Sequence, residues 1–142
     1  MEFRGDLRWL SNFWPAEVAL AGVTYPSVEH AYQAAKTLDP AEREWVREAK
    51  TPGQAKRRGR KVTLRPDWTP VFKRAVMLGL LRQKFARGST LETLLLGTGN
   101  QKLVEGNTWH DNFWGSCQCT RCGDKGQNHL GKLLMQVRAE RR

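Results

Sequence analysis

Polar and apolar residues alternate from Glu17 to Tyr25 around Ala21-Gly22, which predicts a short β-hairpin with Gly22 supplying the turn. The residues before it also read as extended chain. Pro26 is expected to stop the second strand, and Ser27 to cap a helix over 28–38. Asp39-Pro40-Ala41-Glu42 combines a capping carboxylate, a first-turn proline and a glutamate three residues after the cap. A second helix should therefore run to about Lys50. Thr51-Pro52 repeats the signal ahead of a short basic helix that stops at Gly59. Val71, Phe72, Ala75, Leu78 and Leu81 recur at helical spacing, followed by Phe85, and predict a long helix over 67–87 closed by Gly88. Ser89 with Glu92 forms another capping box before Leu94-Leu95-Leu96. Residues 102–105 read as a strand. Residues 128–140 read as a final amphipathic helix with Leu130, Leu133, Leu134 and Val137 inward. The class is α+β: a compact, mainly helical single domain over 1–142 with a small antiparallel sheet.

Composition narrows the function classes. The chain has 142 residues, 39% hydrophobic and 27% charged, as a globular protein does and a disordered one does not. No apolar run approaches the ~20 residues of a membrane span, and Met1–Asp6 lacks signal-peptide character, so no membrane partner is expected. Three cysteines within Cys117–Cys122 make no disulfide framework and point to a reducing, cytoplasmic location. The net charge of +10 is unevenly spread. Residues 47–87 hold 13 basic side chains against Glu48 and Asp67 alone, so this segment carries +11 and the remainder −1. A solvated basic face is the plain reading. With Trp68 inside it, the segment also suits a surface that meets phosphate.

Three stretches carry candidate chemistry. On the first helix, Glu29 and Lys36 project within ~20° of one another at ~100° per residue, with Tyr32 and Gln33 between them. Ala31, Ala34 and Ala35 form the opposite side. A solvent-exposed polar face gives the same pattern; in a cleft, the acid suits proton transfer and the amine suits nucleophilic attack. Trp109-His110-Asp111-Asn112-Phe113-Trp114-Gly115 either plugs a core with its rings or stacks on a base or sugar while Asp111 binds hydroxyls. Trp9-Leu10-Ser11-Asn12-Phe13-Trp14 offers the same choice. His30 and His129 read as structural histidines. Cys117, Cys119 and Cys122 read first as reduced thiols in a tight turn with no cofactor. The alternative is structural zinc completed by His110 or His129. Walker, dinucleotide-binding, H-E-x-x-H and G-x-S-x-G motifs are absent.

Taken together, Phe3-Arg4-Gly5, Leu10–Phe13, Tyr25–Lys36, Gly59-Arg60, Leu64–Trp68, Asp111–Gly115 and Gly126–Gly131 resemble the NADAR family of YbiA-like N-glycosidases over nearly the whole chain. The resemblance implies hydrolysis of an N-glycosidic bond. Its substrates would be ADP-ribose on guanine in DNA, or the phosphoribosylamino-pyrimidine intermediates of riboflavin synthesis. Each joins ribose to an exocyclic amine, and such a sugar opens to an imine that a second amine can capture. By the resemblance, Glu29 serves as general acid/base, Lys36 as a Schiff-base nucleophile, and Asp111 orients the sugar hydroxyls or the water. Trp68 and Trp114 would stack on the base, while Asn12, Phe13, Tyr32 and Gln33 line the ligand. Arg4, Arg60 and Arg65 would meet phosphate. The strongly basic segment favours the polyanionic substrate, ADP-ribosylated DNA. The rival readings are a non-catalytic binder of ADP-ribose or nucleic acid, and a zinc-stabilised DNA-binding module centred on the cysteines.

Overall fold

The computed structural model describes residues 3–142. Met1 and Glu2, at the start of the segment read for leader character, lie outside the described residues. The chain forms two compact units, Asn12–Lys84, and 3–11 together with Phe85–Arg142.

The Asn12–Lys84 unit is built around one short helix. Strands β1 (Pro15–Leu20) and β2 (Val23–Ser27) pair antiparallel, with Val18 opposite Tyr25 and Leu20 opposite Val23. Ala21 and Gly22 both take positive φ, 50° and 79°, which is the two-residue turn that matches strand twist. Pro26 does not stop β2 as expected. It lies within the strand, where the register shifts between Pro15 and Val18 and a two-stranded ribbon leaves its outer edge unpaired. Helix α1 (Val28–Ala35) follows at once, and Ser27 accepts the His30 N–H as its cap. Every residue of α1 is buried. It packs against both strands and against α2 (Pro40–Arg47), α3 (Pro52–Gly59) and α4 (Pro70–Lys84).

The capping residues act as read, with one twist. Asp39 accepts from Ala41 N–H and Thr51 from Gln54 N–H. Glu42, however, does not turn back to its own cap. It accepts the Thr37 hydroxyl and the Thr63 N–H, tying α2 to the segments on either side. Helix α4 begins at Pro70 rather than 67, with the Thr69 hydroxyl accepting the Phe72 N–H. Its inward face is Met77, Leu80, Leu81 and Lys84, and Val71 is 69% exposed. The expected Val71/Ala75/Leu78 stripe is therefore displaced. A helix with apolar residues on more than one side offers several candidate faces, and packing chose among them.

In the other unit, residues Gly5–Leu10 form a 3-10 helix where extended chain was expected. The Trp9 indole donates to Asp6 O, and its ring meets the buried Phe85 edge-on at 6.3 Å. Helices α5 (Thr90–Gly97) and α6 (His129–Arg141) pack together. The Ser89/Glu92 box forms by half: Glu92 N–H donates to Ser89 Oγ, but the Glu92 carboxylate accepts Gly88 N–H, one residue before the cap. Residues 102–105 are not a strand. The regular pairing here is β3 (Gly106–Asn107) with β4 (Ser116–Cys117), and it is parallel. The molecule is α+β and mainly helical, with the hairpin as its small antiparallel sheet. Among the described residues no helix is long and apolar enough to cross a membrane.

Candidate active site

Helix α1 carries its polar row into the interior. Glu29 is 7% exposed, Tyr32 5% and Gln33 4%. Lys36 follows as the C-cap with helical φ and ψ, so it continues the same row, and it is half-buried. A solvated polar face is thereby excluded. The helix presents its acid, phenol, amide and amine inside the Asn12–Lys84 unit, where desolvation strengthens every charge interaction.

The contacts order this row. Gln33 Nε2 donates to Glu29 Oε1 at 2.8 Å, which orients the amide and leaves its buried Oε1 without a partner. Gly59 makes room for it, because a Cβ on Gly59 would collide with the Gln33 amide. Lys36 Nζ sits 5.7 Å from the centre of the Tyr32 ring. Burial lowers the Lys36 pKa from the ordinary amine value. Glu29 opposes that shift, while Lys73, Arg60 and Lys56 reinforce it. Three cations of the basic segment are thus gathered around the amine. Trp68 tilts against Tyr32 at 5.4 Å and meets Phe72 edge-on at 5.9 Å, completing an aromatic wall. Asn12 is held by its carbonyl, which accepts the Glu29 N–H at 3.2 Å. Its side chain donates weakly to Met77 Sδ, and its buried Oδ1 is unpartnered. These two buried acceptors are groups that a ligand's N–H or O–H would satisfy. Phe13 is 44% exposed.

The arginines divide. Arg60 is exposed at the end of α3, and Arg4 is exposed in the other unit. Arg65 is already engaged: its guanidinium forks onto Asp67 at 2.6 and 3.0 Å, stacks on Phe72 at 4.6 Å and reaches the Ala35 carbonyl. Its backbone N–H also donates to Lys36 O at 2.7 Å, so this residue braces the backbone that carries the amine. His30 is structural, as read. Its Nδ1 meets Ser27 Oγ at 2.7 Å and its Nε2 meets Ala49 O at 2.9 Å, and burial holds it below the ordinary imidazole range.

Asp111 and Trp114 belong to the other unit. Asp111 Oδ1 accepts the N–H groups of Phe113 and Trp114, a side-chain-capped turn. Asn107 braces the same turn, its Oδ1 accepting from Trp109 and Asp111 N–H and its Nδ2 donating to Asp111 O. Phe113 and Trp114 meet edge-on at 4.9 Å, and Phe113 tilts against His129 at 4.5 Å. His129 therefore packs and bonds to Gln127, whereas His110 converges on the three cysteines. Sequence reasoning leaves those two histidines equivalent. Nothing in their spacing separates them, since each lies within reach of the cluster along the chain.

The match to known proteins runs along both units. The model of the NADAR domain aligns with residues 3–142. The chain belongs to the NADAR family. Two similar relatives are the N-glycosidase YbiA of Shigella flexneri, 41% identical over 132 residues, and that of Escherichia coli K12, 42% over 134. Each alignment covers 92% of this chain and 79% of the relative. A riboflavin biosynthesis protein of Vibrio vulnificus is 38% identical over 93% of this chain, which spans 35% of that longer protein. Among solved structures, the NMR structure of E. coli YbiA superposes with a TM-score of 0.81 at 37% identity, covering 99% of this chain and 81% of that one. This NADAR chain is accordingly an enzyme, a hydrolase acting on N-glycosyl bonds.

Proposed function

We propose that the enzyme cleaves the bond between C1′ of a ribose and an exocyclic amine, and that its substrate is ADP-ribose carried on guanine in DNA. The observation that carries this reading is the row of buried Glu29 and Gln33 and half-buried Lys36, with the amine's pKa lowered. Glu29 promotes ring opening by proton transfer, giving an imine between C1′ and the base nitrogen. The neutral Lys36 amine adds to C1′, and the base leaves as a free amine after taking a proton from the Glu29 carboxyl. Water then adds to the lysine imine, returning Lys36 as an amine and the sugar as an aldehyde that recloses. The net change is hydrolysis, with no redox partner or cofactor. Asp111 takes the role the family resemblance implies, orienting sugar hydroxyls or the water. The orphan oxygens of Asn12 and Gln33 suit donors on the ligand, and Arg60, with the cations near Lys36, suits its phosphates.

A second reading has its own support. Relatives named riboflavin biosynthesis proteins, in Vibrio vulnificus and in Zea mays at 38% identity, favour phosphoribosylamino-pyrimidines as the substrate. The basic segment favours the polyanion. Incubating the enzyme with each substrate and borohydride, followed by peptide mass spectrometry, tests both points. A reduced sugar adduct on Lys36 is expected, with ADP-ribosylated DNA consumed. A folded Lys36→Ala protein that still traps the sugar removes Lys36 from the covalent step. Consumption of the pyrimidine phosphates alone moves the substrate to the second reading.

A further inference from the structure

The loop leading into α6 holds four metal-competent groups that the glycosidase chemistry does not use. His110 Nδ1 lies 3.3 Å from Cys122 Sγ, 3.5 Å from Cys119 Sγ and 3.6 Å from Cys117 Sγ. All four donor atoms fall within 4.8 Å of one another. Hydrogen bonding does not produce such a convergence, because Nδ1 has one proton or one lone pair and serves one sulfur well, not three. A shared cation does. Zn–S bonds of about 2.3 Å and a Zn–N bond of about 2.0–2.1 Å around a tetrahedron put nitrogen and sulfur about 3.6 Å apart along each edge. The three separations lie at or just under that value. We propose that His110, Cys117, Cys119 and Cys122 bind one zinc ion in a closed, four-ligand structural site.

The backbone is shaped for it. Cys122 N–H donates to Cys119 Sγ at 3.3 Å, a bond that supports a thiolate. Gly123 N–H returns to Cys119 O and Asp124 N–H to Cys117 O, and Gly123 and Asp124 both take left-handed φ. That turn brings the sulfurs of a C-x-C-x-x-C run to one side. His110 itself has φ 67°, a conformation that costs a non-glycine residue about 1–2 kcal/mol and calls for a compensating interaction. Three thiolates and an imidazole are a soft donor set that selects zinc over the hard, oxygen-seeking cations. With four protein ligands no position stays open for water, so the ion holds chain and does not activate a nucleophile.

Between Gly106 and Asn128 the only regular structure is two two-residue strands. His110 directly precedes Asp111, whose turn carries Trp114. Zinc at His110 therefore staples the start of that turn to the strand residue Cys117. This inference stands independently of the glycosidase mechanism.

Full-length protein purified without chelator is expected to contain about one zinc per chain by elemental mass spectrometry. Cobalt exchanged for it should show thiolate charge transfer and the intense visible bands of a tetrahedral site. The double change Cys119→Ser, Cys122→Ser should abolish metal binding, as should His110→Asn, which tolerates the left-handed backbone. Far-UV circular dichroism checks that the helices persist. On the unmodified protein, a mercurial reacting with its only three cysteines should release the zinc and lower Tm. Metal-free protein from zinc-supplemented culture, an octahedral cobalt spectrum, bound iron, or undiminished zinc in the double variant would each overturn the proposal. Should the variants fail to fold, the cobalt spectrum of the unmodified protein decides.

Discussion

Lys36 owes its lowered pKa to burial first and to its cationic neighbours second, and both can be tested by titration. If its neutral amine attacks C1′, activity must rise with pH as the amine loses its proton. Lys73→Gln removes one cation and so raises the Lys36 pKa. The acid limb of the kcat/KM profile should then move to higher pH, and an unmoved limb would separate Lys36 from the rate. Lys84 gives a stability counterpart. It is 3% exposed, and burial pushes its pKa down to about 7. The folded state then binds fewer protons than the unfolded state between about pH 7 and the ordinary lysine value. Stability should rise across that window by up to about 1.4 kcal/mol per pH unit, and fall as pH drops through the folded pKa. Lys84→Met should flatten this slope in denaturant melts at pH 7 and 9. The polar row on α1 is readable from its spacing, because 3.6-residue periodicity aligns Glu29 with Lys36 whatever surrounds them. Its burial is not, since a helix face looks the same whether water or protein covers it.

At the scale of elements, the fold depends on how closely α3 approaches α1. Gly59 sits where a Cβ would meet the Gln33 amide, with the Gln33 Cβ only 2.9 Å away. Gly59→Ala should force Gln33 off Glu29 and destabilise the protein by about 1–3 kcal/mol, with a parallel loss of kcat. Gly79, on α4 with nothing near its Cβ position, is the control. Gly79→Ala should stabilise the protein by about 0.5–1 kcal/mol through helix propensity alone. Equal effects of the two changes on stability and turnover would contradict the close approach. Capping residues at 27, 39, 51 and 89 place four helix starts correctly, because a cap acts within one turn. The pattern puts the start of α4 three residues early and suggests a strand over 102–105 that does not form. Neither segment has a local signal strong enough to outweigh packing.

At the scale of the whole molecule, the proposed polyanionic substrate rests on charge. Not every cation in the +11 segment is available: Arg65 is forked onto Asp67, and Arg58 lies over Trp45 at 5.1 Å and donates to its carbonyl. Arg57 and Lys61, which flank the exposed Arg60, are among the cations still open to a polyanion. Replacing both with alanine should weaken binding to DNA and reduce the slope of log K against log salt by roughly 0.7–0.9 for each phosphate no longer neutralised. An unchanged slope would argue against a polyanionic substrate and leave the small phosphorylated pyrimidines. Arg65→Ala should act differently, lowering stability by releasing Asp67 and the Ala35 carbonyl.

The sequence by itself determined the family, the helical class, the hairpin and the alignment of Glu29 with Lys36 on one helix, because these rest on local pattern and on residue types in order. Only the tertiary structure decided that the α1 row is buried, that Arg65 braces the backbone, and that His110 rather than His129 faces the cysteines. Each of those depends on which distant segments the packed chain brings together, and spacing along the sequence holds no record of that.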